Sequence, residues 1–200
     1  MNIHYKLIKA CESGDLAAVK ECVEQGANIH KYNDEALRWA VHKGHLETIK
    51  YLMKQGADIH ARNYYALRWA AYHGYLKIVK CLIEQGANIH AANDWALRCA
   101  AENGHLEIVK CLTEHGANIH ALNDGALRWA AKRGHLQIVN VIRKAAGDKY
   151  KCHNCIIKST CLDLCKDFKV SLNQRVKNYV MTLRNKIFRR IKNQYIKLTT

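Results

Sequence analysis

The chain has 200 residues, 49% of them apolar, enough to bury a substantial core in one elongated domain or two small ones, which excludes a chain too polar to fold. Lys and Arg number 32 against 17 Asp and Glu, a net charge of +15 that suits acidic proteins, nucleic acid or anionic membrane and does not choose among them. No run of 18 apolar residues is present to span a membrane, and the opening MNIHYKLIKACESGDLAAVK puts charges where a signal peptide carries its apolar stretch. A cytoplasmic or nuclear protein is therefore expected, not a secreted one. In that setting the nine cysteines stay reduced and serve as core residues or metal ligands, not disulfides.

In chain order, residues 1–146 are five copies of one 30-residue unit, beginning near residues 3, 33, 63, 93 and 123. Ala10, Ala40, Ala70, Ala100 and Ala130 recur, as do Gly14, Gly44, Gly74, Gly104 and Gly134, and Gly26, Gly56, Gly86 and Gly116 within GANIH or GADIH. In the second copy Ala36, Leu37, Ala40 and Val41 lie at helical spacing, and so do Leu46, Ile49, Leu52 and Met53. Each unit is thus two short amphipathic helices, with Gly44 between them and Gly56 after the second, where a left-handed residue ends a helix with little strain. Asn33 and Asp34 offer caps for the next first helix. One helix pair cannot bury both faces, so the units must stack into an all-α solenoid. Leu46, Leu76, Leu106 and Leu136 are the expected continuous core. The first copy has Ile8, Lys9 and Asp15 where later ones have Arg, Trp and His, as a solvent-facing terminal unit should.

ALRWA followed by GHLEIVKCL and GANI resembles the ankyrin repeat, with ALRWA standing where that family has T-P-L-H-x-A. The resemblance covers residues 3 to about 146 and implies a protein-interaction scaffold of helix pairs with projecting β-turn fingers. The family period is about 33 residues. The three missing ones fall in the loop before the first helix, so the fingers should be shortened. The family His is replaced by Arg38, Arg68, Arg98 and Arg128. Such 30-residue, Arg-bearing units look most like ankyrin proteins encoded by giant DNA viruses of amoebae, which implies a host protein as ligand.

The Arg column has two readings: planar forks donating to finger carbonyls, or a site for an acidic ligand, and the first is favoured. Trp39, Trp69 and Trp129, with Cys99 in the same slot, are expected between repeats as core. The columns His45, His105, His135 and His30, His60, His90, His120 place their members one repeat apart, too far to share a zinc, so they are read as structural. The resemblance implies ligand contacts on the fingers and the exposed end of the first helix. By alignment these include Tyr64, Tyr65, Tyr72, His73, Trp95, Glu102 and Asn103. Four of them are bulky aromatics in neighbouring copies, the residue class that dominates interface energetics, and a protein partner is expected there. The other reading is that the rings fold over shortened loops.

From Gly147 the composition changes: residues 147–200 hold 13 Lys or Arg against 3 Asp, supplying +10 of the +15. A Cys-rich connector, 147–165, carries Cys152, Cys155, Cys161 and Cys165, four thiolates that zinc would take, although its ligand pairs are usually farther apart. Over 166–200 apolar residues from Phe168 to Tyr195 recur every three or four positions, a basic amphipathic helix with Arg175, Lys177, Arg184, Lys186, Arg189, Arg190 and Lys192 on its flanks and far side. It would cap the last repeat or bind nucleic acid, anionic membrane or a partner's groove; no motif reads bases. Without a phosphate loop, nucleophile motif or acid/base pair, no enzyme, small-molecule substrate or cofactor is expected, zinc on the four cysteines being the lesser reading.

Overall fold

The computed structural model describes residues 2–147, and within them the chain is helical with no strand. Ten helices pair in order: α1 (Ile3–Ser13) with α2 (Leu16–Glu24), α3 (Lys31–Lys43) with α4 (Leu46–Lys54), α5 (Ala61–His73) with α6 (Leu76–Glu84), α7 (Ala91–Asn103) with α8 (Leu106–Glu114), and α9 (Ala121–Arg133) with α10 (Leu136–Ala145). The first helices of the pairs pack on one another as one row and the second helices as another. Leu37, Leu67, Leu97 and Leu127 of the first row meet Leu52, Ile78, Leu82, Ile108, Leu112, Ile138 and Ile142 of the second, all at most 2% exposed. Each such side chain contributes about 1.5–3 kcal/mol by leaving water. The core is therefore set one helical turn inside the expected line: Leu46, Leu76 and Leu106 open their helices and are only half-buried, and Leu136 is 52% exposed.

The turn between the helices of a pair is closed by glycine. Gly104 ends α7 at φ +83°, and its N–H donates to the Ala100 carbonyl. The next repeat then packs on it: His135 lies over Gly104, and its Nε2 donates to the Glu102 carbonyl at 3.0 Å. His45 makes the same bond to the Glu12 carbonyl (3.0 Å) and His105 to that of Tyr72 (2.9 Å). The column is structural, as its spacing implied, and because a carbonyl only accepts, the Nε2-protonated tautomer is fixed. In the first repeat the His slot holds Asp15, which caps its own helix, accepting from the Ala18 N–H at 3.0 Å.

The shortened finger is a left-handed turn. Tyr32, Asn33 and Asp34 lie at φ 51° to 56°, Ala92 to Asp94 at 52° to 56°, Leu122 to Asp124 at 51° to 57°, and Arg62 and Tyr64 at 51° and 60°. A left-handed residue other than glycine costs about 1–2 kcal/mol, less for Asn and Asp. Two devices offset this. Arg38 donates from Nε to the Asn33 carbonyl (3.1 Å) and from Nη2 to that of Tyr32 (3.0 Å), and Arg98 repeats the pair at 3.2 and 3.1 Å on Asn93 and Ala92. The Arg forks thus hold the finger carbonyls. The second device is Asp34, 5% exposed, whose Oδ1 accepts the Asp58 N–H of the next repeat at 2.9 Å; Asp94, 3% exposed, takes that of Asn118 at 2.7 Å. Asn33 and Asp34 are consequently not helix caps. The N-cap residues are His30, His60, His90 and His120, without a side-chain cap bond, and in the turn before them Asn28, Asp58, Asn88 and Asn118 accept the N–H two residues on at 2.8–3.0 Å.

Candidate functional site

The first-helix row exposes one continuous surface, and its composition is set by a relation between repeats. Arg38, Arg68 and Arg98 each reach the residue 27 positions later in the sequence. Arg38 lies 5.6 Å from the centre of the Tyr65 ring, and Arg68 lies 4.4 Å from that of Trp95. Arg98 folds into the space left by the missing side chain of Gly125 while its guanidinium lies 5.0 Å from the centre of the Trp95 ring. Trp95, 39% exposed, thus has two guanidiniums within reach of its ring, contacts worth about 0.5–1 kcal/mol per exposed cation–ring pair.

The expected core role of the Trp column is corrected here. Cys99 is buried, but Trp39, Trp69 and Trp129 are half-buried and form part of this surface. The first helix packs its Leu and Ala inward, and the Arg and Trp next to them fall at its edge. Trp69 is the hub of a ring cluster, 5.2 Å from Tyr65, 5.5 Å from Tyr72, 5.1 Å from His73 and 5.1 Å from His42. Between the second and third repeats a cavity of about 180 Å³ opens among Glu35, Arg38, Trp39, His42, Tyr65 and Trp69. Two ring nitrogens in the cluster, His42 Nδ1 and His73 Nε2, are buried without a hydrogen-bond partner. Burial, and secondarily the neighbouring His42 and His105, hold the His73 pKa below the ordinary value, so the ring is neutral at pH 7.

Of the residues nominated from sequence, Tyr65, Tyr72, His73 and Trp95 lie on this one surface. Tyr72 is 45% exposed, and Tyr65 is half-buried, with burial pushing its phenol pKa up against the opposing charges of Arg38 and Arg62. Tyr64 is set apart on the left-handed turn, its ring 5.2 Å from His60 in the slot that Asp34 and Asp94 fill elsewhere. Glu102 and Asn103 are engaged within the fold: Glu102 pairs with Arg133 at 2.7 Å, and Asn103 Nδ2 donates to the Cys99 carbonyl at 2.9 Å. Glu35 and His42 also fall at the contact positions that alignment implies, whereas Arg38 and Arg98 read first as forks for the finger carbonyls; the 27-residue relation between Arg and aromatic slots is the sequence signal that ties them to this surface.

The cysteines of the repeats are inert. Burial raises the Cys11 thiol to about 12 and the Cys99 thiol to about 11, with Cys22, Cys81 and Cys111 also raised by burial. Among the described residues no group of three or more His, Cys, Asp or Glu is placed to hold a metal, and no helix is long and apolar enough to cross a membrane. Cys152, Cys155, Cys161 and Cys165 and the basic residues from Arg175 to Lys192 lie outside the described residues.

Two rows of helices, joined pairwise by a glycine turn and tied junction by junction through side-chain bonds to the neighbouring backbone, define a helical-repeat solenoid. Family models described as ankyrin repeats match residues 37–83 and 67–152, between them more than half of the chain. The chain belongs to the ankyrin-repeat proteins. No curated protein matches it. Ankyrin repeats generally mediate protein–protein interaction and are typically non-enzymatic scaffolds.

Proposed function

We propose that this chain is an interaction scaffold that docks a protein partner on the first-helix face of its third and fourth repeats, through Tyr65, Tyr72, His73 and Trp95, with Tyr64, Glu102 and Asn103 at the margin. The observation that carries the reading is the gathering of aromatic rings there: Trp95, Tyr72 and the Trp69 cluster are rigid and large, and they remain accessible to a partner. Repeat 3 gives up regular features to hold them. Tyr64 stands in the slot of the buried Asp, and Tyr75 replaces the bridging His, stacking on His73 at 5.6 Å. Buried polar atoms without partners, such as those of His42 and His73, are a cost that sequences tolerate where another requirement acts.

The test is affinity purification with nuclease treatment from cell extract, comparing wild type with the variant Tyr64→Ala, Tyr65→Ala, Trp95→Ala. A protein partner that survives nuclease and is lost with the folded variant is the expected result; a partner retained by that variant refutes the assignment. The 30-residue unit supports, by resemblance alone, a viral source and a host protein as the ligand, and the chain's reduced-thiol composition supports the cytoplasm or nucleus as its place of action. A second reading gives the +10 charge of residues 147–200 a nucleic-acid partner, with zinc on Cys152, Cys155, Cys161 and Cys165. A nuclease-sensitive, salt-sensitive interaction lost on deleting residues 148–200 would establish it.

A further inference from the structure

We propose that the partner presents an acidic, extended peptide segment to this face, with a carboxylate at every third residue aligned on the column Arg38, Arg68 and Arg98. The inference rests on the interaction reading above and specifies its partner.

Charge is the first ground. The first helices carry eleven Lys or Arg against six Asp or Glu, and the second helices eight against six. Two of the six, Asp34 and Asp94, are buried and bonded within the fold, which leaves the outer surface of the row more basic still. The helix at the centre of the aromatic cluster, α5, has Arg62 and Arg68 and no carboxylate. A face so charged draws acidic segments and rejects basic ones.

Geometry is the second. Arg38 and Arg98 each use two N–H groups of five on the turn carbonyls, so three remain on each. The guanidiniums lie 5.6 Å from the Tyr65 ring and 5.0 Å from the Trp95 ring, contacts made through charge that do not consume N–H groups, and a planar guanidinium grips a carboxylate through such N–H groups bidentately. The carbonyl bonds also fix each fork before the ligand arrives, which reduces the ordering cost of binding. Neighbouring repeats stack at about 10 Å, the spacing of packed helices. An extended peptide in the polyproline II conformation turns once every three residues and advances about 3.1 Å per residue, so every third side chain faces the same way at about one repeat's spacing. Aromatic rings between the Arg positions then meet the intervening side chains.

The protein carries its own reporter. All four tryptophans, Trp39, Trp69, Trp95 and Trp129, lie on first helices, and residues 147–200 contain none, so Trp emission reports on the first-helix row. The full-length chain is titrated with a twelve-residue peptide repeating Glu-Ser-Tyr, with an isomer holding its four Glu in one block, and with single-stranded RNA, exciting at 295 nm. The expected result is a saturable change with the repeating peptide, at least fivefold weaker with the block isomer, and weakened several-fold by raising salt from 50 to 500 mM. Arg68→Gln and Arg98→Gln each weaken it about fivefold or more; Lys110→Gln on α8 leaves it unchanged. Urea midpoints check that each variant is folded, and Arg68→Lys, which keeps the charge without the fork, recovers only part of the loss. Unchanged emission with both peptides, equal response to the two isomers, or a response to RNA alone overturns the proposal. If the protein partner is lost on aromatic substitution while the peptides have no effect, the scaffold reading stands and the acidic specificity falls.

Discussion

Replacing Gly104 by Ala separates two costs that the fold superimposes. Gly104 sits at φ +83°, and Gly116 in the same repeat sits at φ +87°. A Cβ at Gly116 meets nothing within 4 Å, whereas one at Gly104 falls 2.8 Å from His135 Cε1. Both substitutions carry the left-handed backbone penalty of about 1–2 kcal/mol. Only Gly104→Ala also displaces His135 and its 3.0 Å bond to the Glu102 carbonyl, adding about 0.5–1.5 kcal/mol for the bond and more for lost packing. We expect about 2–4 kcal/mol for Gly104→Ala. In a His135→Ala background the excess disappears, a coupling of about 1 kcal/mol. Urea denaturation of the full-length chain, followed by circular dichroism, measures all four variants of that cycle together with Gly116→Ala. Equal costs for Gly104→Ala and Gly116→Ala, within about 0.5 kcal/mol, would show that the ring packing contributes nothing.

Further expectations follow from the same bonds. Asp94→Ala strips the Asn118 N–H of its buried acceptor and lowers stability by about 1–3 kcal/mol, whereas the more exposed Asp124 costs less on the same substitution; urea midpoints decide. Asp15→Ala removes the cap of α2 and costs about 1 kcal/mol, read as early loss of the first repeat in hydrogen exchange. Because burial lowers the His73 pKa in the fold, the unfolded chain binds the proton more readily. The stability this ring contributes is present above pH 6.5 and is lost as pH falls through that value, so His73→Gln should show a smaller loss of urea midpoint between pH 7.5 and pH 5 than wild type. Iodoacetamide at pH 8 should leave Cys11 and Cys99 unmodified until urea unfolds the repeats, since their thiols stay protonated; rapid labelling in the folded state would contradict their burial.

The solenoid was legible because its signals are local or periodic. Glycine after each first helix, Ala and Leu at helical spacing, and a His one repeat from its own copies leave few alternatives. The fork role of Arg38 and Arg98 was legible too, since a planar donor beside a shortened loop has carbonyls within reach. What escaped was conformation that side-chain type does not encode. Nothing in Tyr32, Ala92 or Leu122 announces a left-handed residue, because the turn is imposed by the three-residue deletion and held from outside by an Arg six positions on. By sequence Asp34 reads as a helix cap for the same reason: its acceptor role depends on an N–H 24 residues away. The aromatic residues stand out by type, but their partners do not, because Arg68, which lies over the Trp95 ring, belongs to the preceding repeat.

The junction bonds also govern how such a chain grows. They join positions 24 and 33 residues apart, so a tandem duplication of any 30-residue block supplies both ends of every new bond at once. Recombination can therefore lengthen or shorten the array without redesign of a junction, whereas an insertion of one residue in a turn severs two. Repeat 3 departs from this interchangeability. With Tyr64 and Tyr75 in place of the bridging Asp and His, a copied repeat 3 would export its rings and not its bonds, which ties that unit to its place.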